Sequence, residues 1–245
     1  MNIRGVACAA ALALLLPTVA MAGPPFFTDD PEPVPFQHWE FYAASMGSHD
    51  ASGTTATAPH IEVNYGPWPG VQLHALLPFN RISTPGAPTA YGYGDTELGV
   101  KLRFVKEAGA RPEIGTFPLV ELPTGNSQTG LGGGHTQIFI PLWIQKSWGH
   151  WSSYGGGGYW HNPGTGNRDW RFLGWELQRD VPKFGFLGGE IFHSSASAVD
   201  ETGGAGFNIG GQFDFSSVHH ILFSAGHTLS GPSSETWYVA YYVTL

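Results

Sequence analysis

Residues 235–245 (ETWYVAYYVTL) alternate strictly in polarity. Trp237, Val239, Tyr241, Val243 and Leu245 share one parity, and Thr236, Tyr238, Ala240, Tyr242 and Thr244 share the other. The first set is apolar or aromatic and the second is small or bears hydroxyls, the period-2 pattern of a strand with one face in lipid. The separation recurs upstream. Leu98, Val100, Leu102 and Phe104 oppose Glu97, Gly99, Lys101 and Arg103; Ile138, Ile140, Leu142 and Ile144 oppose Gln137, Phe139, Trp143 and Gln145; Phe207, Ile209 and Phe213 oppose Asn208, Gly210, Gln212 and Asp214. Each apolar face is expected to meet lipid. A strand running to the last residue fits a closed barrel, in which it pairs with the first strand and leaves no edge in hydrocarbon.

The pattern predicts twelve strands of about ten residues, the length a tilted strand needs to cross a bilayer. They fall at residues 38–46, 55–65, 70–79, 95–105, 112–122, 136–146, 150–161, 169–179, 183–193, 205–214, 218–228 and 236–245. The expected connections alternate between short ones (66–69, 106–111, 147–149, 180–182, 215–217) and longer ones rich in Gly, Pro, Ser and Thr (47–54, 80–94, 123–135, 162–168, 194–204, 229–235). That alternation predicts short periplasmic turns, longer extracellular loops and both termini in the periplasm. Trp39, Tyr65, Trp68, Trp148, Trp151, Tyr159, Trp160, Trp170 and Trp237 lie near strand ends, as interfacial girdles require. The expected fold class is therefore all-β, an antiparallel transmembrane β-barrel over residues 38–245.

Two segments precede the barrel. Residues 1–22 carry Arg4, an apolar run and the small-residue site Ala20-Met21-Ala22, which reads as a secretory signal peptide. The lone cysteine, Cys8, falls within it, so disulfides and cysteine metal sites are excluded from the mature chain. Residues 23–37 hold five prolines and three acids, incompatible with a central strand or a helix interior. This segment is expected in the periplasm or folded into the barrel mouth.

The remainder has no run of 18 apolar residues, which excludes a helical membrane protein but not a barrel. Eleven basic groups less Arg4 leave ten against nineteen acids, a mature net charge of −9 that argues against a nucleic-acid partner. The expected surroundings are outer-membrane lipid in the cell envelope of a Gram-negative bacterium.

Thr28-Asp29-Asp30-Pro31, then His38-Trp39-Glu40, then residues 94–104 (GDTELGVKLRF), then Leu122-Pro123-Thr124-Gly125 occur in that order. Together they resemble the outer-membrane transporter family named for the meta-cleavage pathway of phenol degradation, over most of the mature chain. The resemblance implies a barrel encoded beside aromatic-degradation genes in some members, taking small hydrophobic or aromatic compounds as solutes and using no cofactor.

The candidate lumen residues are Glu40, Glu62, Glu97, Glu113, Glu121, Glu176, Glu190 and Asp214, with Lys101 and Arg103 as the basic members. A narrow lumen of one dominant sign favours cations or neutral solutes over anions. The other reading is that these groups form an internal hydrogen-bonded network that fills the barrel. Phe117, Phe139, Trp143, Phe172, Phe186 and Phe192 share the lumen parity, either lining a path for an aromatic solute or plugging it.

Three further features bear on chemistry. His193-Ser194-Ser195 partly resembles the His-x-Ser signature of outer-membrane lipid A deacylases, which makes His193 and Ser195 the candidates for an alternative reading as a lipid hydrolase, with Asp200 or Glu201 orienting the histidine. His219 and His220 are adjacent on a strand, point to opposite faces and cannot chelate one metal ion. Residues 155–158 are four glycines, expected to let a bulky neighbour or an inserted segment approach the wall. A third reading is a non-conducting structural barrel whose loops bind a partner.

Overall fold

The structure, a computed structural model, describes residues 24–245; the signal peptide expected over residues 1–22 lies outside the described residues. The described chain forms β1 (Trp39–Asp50), β2 (Gly53–Trp68), β3 (Val71–Ser83), β4 (Ala90–Tyr93), β5 (Thr96–Val105), β6 (Glu113–Thr116) and β7 (Leu119–Leu122). It continues through β8 (Gln137–Trp148), β9 (Trp151–His161), β10 (Trp170–Val181), β11 (Gly185–Ser194), β12 (Gly204–Asp214), β13 (His219–Ser230) and β14 (Ser234–Thr244). All neighbours are antiparallel, and β1 closes the sheet by pairing with β14, Glu40 opposite Thr244 and Asp50 opposite Ser234. Closure leaves no unpaired edge, the condition for a sheet that spans lipid.

Among the described residues the fourteen strands make twelve wall strands. β4 and β5 both pair with β3, and β6 and β7 both lie between β5 and β8. Gly94-Asp95 interrupts the first couple and Phe117-Pro118 the second. Pro118 has no N–H to give the ladder, yet parity survives the break, with Glu113, Phe117, Leu119 and Glu121 all buried on the inner side.

Several connections are shorter than the sequence predicts. β1 runs to Asp50 and β2 begins at Gly53, so residues 47–54 are mostly strand rather than loop. The Asp50 carboxylate explains the tight turn, accepting from Ser52 N at 2.7 Å and Gly53 N at 3.2 Å. Residues 229–235 shrink likewise, because β13 extends to Ser230 and β14 starts at Ser234. The loop over residues 123–136 stays long and folds inward, with Asp95 accepting from Gly125 N at 2.8 Å and Gly133 N at 2.6 Å, and Asn80 Nδ2 donating to Leu131 O at 2.9 Å.

The outer face is an apolar band. Ile140 is 63% exposed, Leu142 56% and Ile209 66%, and they continue into Leu98, Leu102, Phe104, Leu173, Leu187 and Ile191. An exposed apolar surface of this extent marks contact with lipid. Trp39, Trp68, Trp148, Trp151 and Tyr159 are exposed at the strand ends as girdle residues. Trp160 and Trp170 depart from that expectation. They point inward, nearly fully buried, and stack on each other with ring centroids 5.5 Å apart.

Candidate functional site

The interior is built around residues 24–37, which fold into the lumen as a plug. Their prolines, Pro24, Pro25, Pro31, Pro33 and Pro35, bring no N–H, so few buried donors need partners. The wall supplies partners for key donors that remain. Phe27 N donates to Glu190 Oε1 at 2.8 Å, Thr28 N and Oγ1 donate to Glu190 Oε2 at 2.7 and 2.6 Å, and Val34 N donates to Gln72 Oε1 at 2.9 Å. Ser224 Oγ donates to Pro25 O at 2.5 Å, and Gln37 N to Gly66 O at 2.7 Å.

Wall glycines make room for this segment. A Cβ on Gly174 would lie 2.1 Å from Thr28 Oγ1, and one on Gly115 would lie 3.0 Å from Pro31 Cβ. In the glycine run of β9, a Cβ on Gly158 would lie 2.4 Å from the Phe139 ring, so there the missing side chain admits a bulky neighbour rather than the plug.

The carboxylates and bases divide into local clusters. Lys101 Nζ donates to Asp29 Oδ1 at 2.9 Å and lies 3.5 Å from Asp30 Oδ1, over the Phe117 ring at 5.1 Å. Arg103 Nη1 lies 3.3 Å from Glu113 and 3.7 Å from Glu32. Both bases therefore tie the plug to the wall. Glu40 accepts from Tyr242 Oη at 2.7 Å and Tyr42 Oη at 3.0 Å. Glu62 accepts from Asn64 at 2.8 Å, His74 bridges Asn64 and Glu97, Glu121 accepts from Gln137 at 3.1 Å, and Asp214 sits 2.6 Å from His220 Nδ1. Glu176, opposite Glu190 in register, is fully buried and neither of its carboxyl oxygens has a partner among the described residues.

Burial dominates the electrostatics of the plug. It pushes the Asp29 carboxyl up to about 8, against the pull of Lys101. On the β9–β10 loop Asp169 is held below the usual carboxylate range by its hydrogen bond from Tyr159.

The inward aromatics form a packed cluster of Phe117, Leu119, Phe139, Trp143, Trp160, Trp170 and Phe172, with Phe27 and Phe192 against it. Phe186 packs instead on a second cluster around Tyr42, Leu222, Tyr238 and Tyr242. Phe27 of the plug touches both clusters.

Two cavities flank the plug. One of about 320 Å³, on the side of the chain ends and short turns, is polar and lined by Asp29, Asp30, Glu32, Glu40, Glu62, Gln72 and Lys101. The other, of about 380 Å³, opens among the long loops and is walled by Phe27, Trp170, Phe172 and Phe192 beneath a rim of serines and threonines. Phe27 belongs to the second and Asp29 to the first, so the plug separates them.

The hydrolase geometry does not assemble. Ser195 Oγ is engaged as the acceptor of Arg171 N at 2.9 Å, Glu201 accepts from Ser197 Oγ at 2.8 Å, and His193 is exposed on the parity of lipid-facing Ile191. Of the histidine pair, His219 stacks on Tyr241 outside and His220 meets Asp214 inside. Among the described residues no group of three metal-ligating side chains converges.

The structural residues that sequence reasoning missed are Phe27, Thr28 and Asp29 of the plug and Asn208, His74 and Tyr242 of the wall. Thr28 and Asp29 were visible within a motif, but its partners lie far along the chain.

No family model and no curated protein matches this sequence. Among solved structures, the chain is similar to the COG4313 outer membrane channel from Pseudomonas putida F1, with a TM-score of 0.74 at 16% identity over 88% of this chain and 98% of that one. It is also similar to the translocator domain of the autotransporter NalP from Neisseria meningitidis, with a TM-score of 0.56 at 10% identity over 84% of this chain and 88% of that one. At these identities the likeness is one of fold: a closed twelve-stranded barrel of the outer-membrane type.

Proposed function

We propose that this chain is an outer-membrane channel for small hydrophobic or aromatic compounds, allied to the phenol-degradation transporters its motifs resemble. Its setting is the Gram-negative outer membrane, with the short turns and both termini in the periplasm. The observation that carries this reading is the cavity walled by Phe27, Trp170, Phe172 and Phe192 at the long-loop end. Concave apolar surface with a few polar groups is the ordinary form of a small-molecule site. Beyond the plug, the polar chamber is predominantly acidic, which favours neutral or cationic solutes over anions.

The direct experiment is single-channel recording of refolded protein in a planar bilayer, in salt with and without phenol. Discrete steps that phenol blocks, with the block weakened in Phe192→Ala, are the expected result. Steps indifferent to phenol in both proteins would overturn the aromatic reading. Ser195→Ala is expected to leave lipid-cleaving activity at the background level of the unmodified protein, since Ser195 Oγ already serves the backbone.

A further inference from the structure

We propose that the polar chamber at the short-turn end binds a small aliphatic diammonium ion, which bridges carboxylates of the plug to carboxylates of the wall and holds the plug in place. The binding stands on the chamber alone; its effect on conduction rests on the channel reading above.

Three carboxyl groups of the chamber, on Asp29, Asp30 and Glu32, belong to the plug, and two, on Glu40 and Glu62, belong to β1 and β2 of the wall. Among the described residues Lys101 is the one basic side chain in the lining. Its ammonium is already engaged, 2.9 Å from Asp29 Oδ1 and 3.5 Å from Asp30 Oδ1. An excess of carboxyl groups in a concave, partly buried space concentrates cations.

The surrounding donors leave two of these acceptors unserved. Glu40 is complete, with one tyrosine hydroxyl on each oxygen. Glu62 is not. It is 5% exposed, its Oε1 accepts from Asn64 Nδ2 at 2.8 Å and lies 3.5 Å from His74 Nδ1, and its Oε2 has no hydrogen-bond partner among the described residues. Asp29 is fully buried, and its Oδ2 likewise has no partner among them. Both residues line the chamber, so plug and wall each bring a buried carboxyl oxygen that lacks a donor, a costly condition.

A ligand that answers both oxygens carries donors and positive charge at two points. An ammonium brings three N–H donors and no acceptor, and its hydrogen bonds to carboxylates are charge-assisted. A chamber of about 320 Å³ has room for a short carbon chain between two such groups. A bare metal ion fits less well, because no three metal-ligating side chains converge among the described residues. Glu32 lines the chamber and its side chain is 61% exposed, so the chamber meets solvent beside it. With one ammonium on Glu62 and the other on Asp29, the ligand ties wall to plug. A ligand that binds only the docked plug lowers opening by the factor 1 + [L]/Kd.

The test pairs calorimetric titration of the refolded full chain with single-channel recording. Refolding is verified by the mobility difference between heated and unheated samples. The probes are 1,4-diaminobutane, tetramethylammonium, which has charge but no donor, and Mg2+. The diamine is expected to bind at least tenfold more tightly than either comparator, and Glu62→Gln to weaken it about tenfold. Glu32→Gln alters an exposed side chain and serves if the Glu62 variant does not refold; it is expected to weaken the diamine about threefold. In bilayers, diamine at about ten times its Kd is expected to cut the open probability about tenfold, from one side of the membrane only. No binding, or equal binding of the three cations unchanged in both variants, would overturn the site. Diamine binding with unchanged opening would overturn the bridge between plug and wall. A bilayer silent without diamine would sink the channel reading and leave the titration result standing.

Discussion

Lys101 on β5 and Asp29 on the plug are joined by a 2.9 Å hydrogen bond across 72 residues of sequence, both side chains nearly or fully buried. The contact ties a wall strand to the segment that divides the lumen. Removing one partner of a buried pair costs about 3–5 kcal/mol, because the other charge is left uncompensated. Lys101→Met is expected to raise the open probability in planar bilayers by about tenfold, less than the full cost of an unpaired charge, because Asp29 without Lys101 can take up a proton and stay docked neutral. The double variant with Asp29→Leu, which removes both charges, is expected to recover much of the closed state. Equal open probabilities in all three proteins would show that this pair does not hold the plug.

Acidity acts on the same contact. Docked, the Asp29 carboxyl is pushed up to about 8; on a released plug it returns toward the ordinary 3.8. The docked state therefore binds more protons between these values and gains stability as pH falls. Opening is expected to increase as pH rises from about 4 and to level off above about 8. Asp29→Asn should flatten this profile, as recorded in a pH series of single-channel traces. A rise in opening toward low pH would contradict the assignment.

Gly174 leaves room for Thr28, whose Oγ1 would lie 2.1 Å from an added Cβ. Gly174→Val drives a branched side chain into the plug, and overpacking of this kind costs about 1–3 kcal/mol. The cheapest relief is plug displacement, so the variant is expected to refold and to conduct more than the parent. Cleavage of residues 24–37 by added protease, faster in the variant, gives an independent reading.

Ile140 and Leu142 lie mid-strand on the outer face of β8. Ile140→Arg is expected to destabilise the barrel by about 2–4 kcal/mol when unfolded reversibly in lipid vesicles, the penalty for a charge near the bilayer centre. Arg in place of inward Gln145 is expected to cost less. Equal costs would undo the assignment of faces.

The wall was legible because alternation is local: each residue's parity follows from its neighbours two positions away, and all twelve wall strands could be read from it. Strand ends were less legible. The turn after Asp50 depends on a single carboxylate serving two N–H groups, and the period-2 pattern fades there. Trp160 and Trp170 look like girdle residues in sequence, since position near a strand end says nothing of which face a side chain takes. The sequence allowed residues 23–37 to enter the barrel mouth, but not how they are held. Glu190 is 162 residues from Thr28, and no local signal pairs them. The closeness of Ser195 to His193 in sequence also carries no information about its true partner, the backbone of Arg171.

The central claim is that residues 24–37 control passage through the lumen, and a reversible lock tests it most directly. A Cβ on Gly115 would lie 3.0 Å from Pro31 Cβ and 2.8 Å from Leu102 O, so a small outward shift of the strand relieves the second contact and brings the first toward the spacing of about 3.5–4.5 Å that a disulfide spans. The sequence has no cysteine after Cys8, so Pro31→Cys with Gly115→Cys introduces one defined cross-link. Single-channel conductance of this variant is to be recorded oxidised and then after addition of reductant. The account predicts silence when oxidised and discrete, phenol-sensitive steps when reduced. The same steps in both states would mean that solutes pass without the plug moving, and would contradict it.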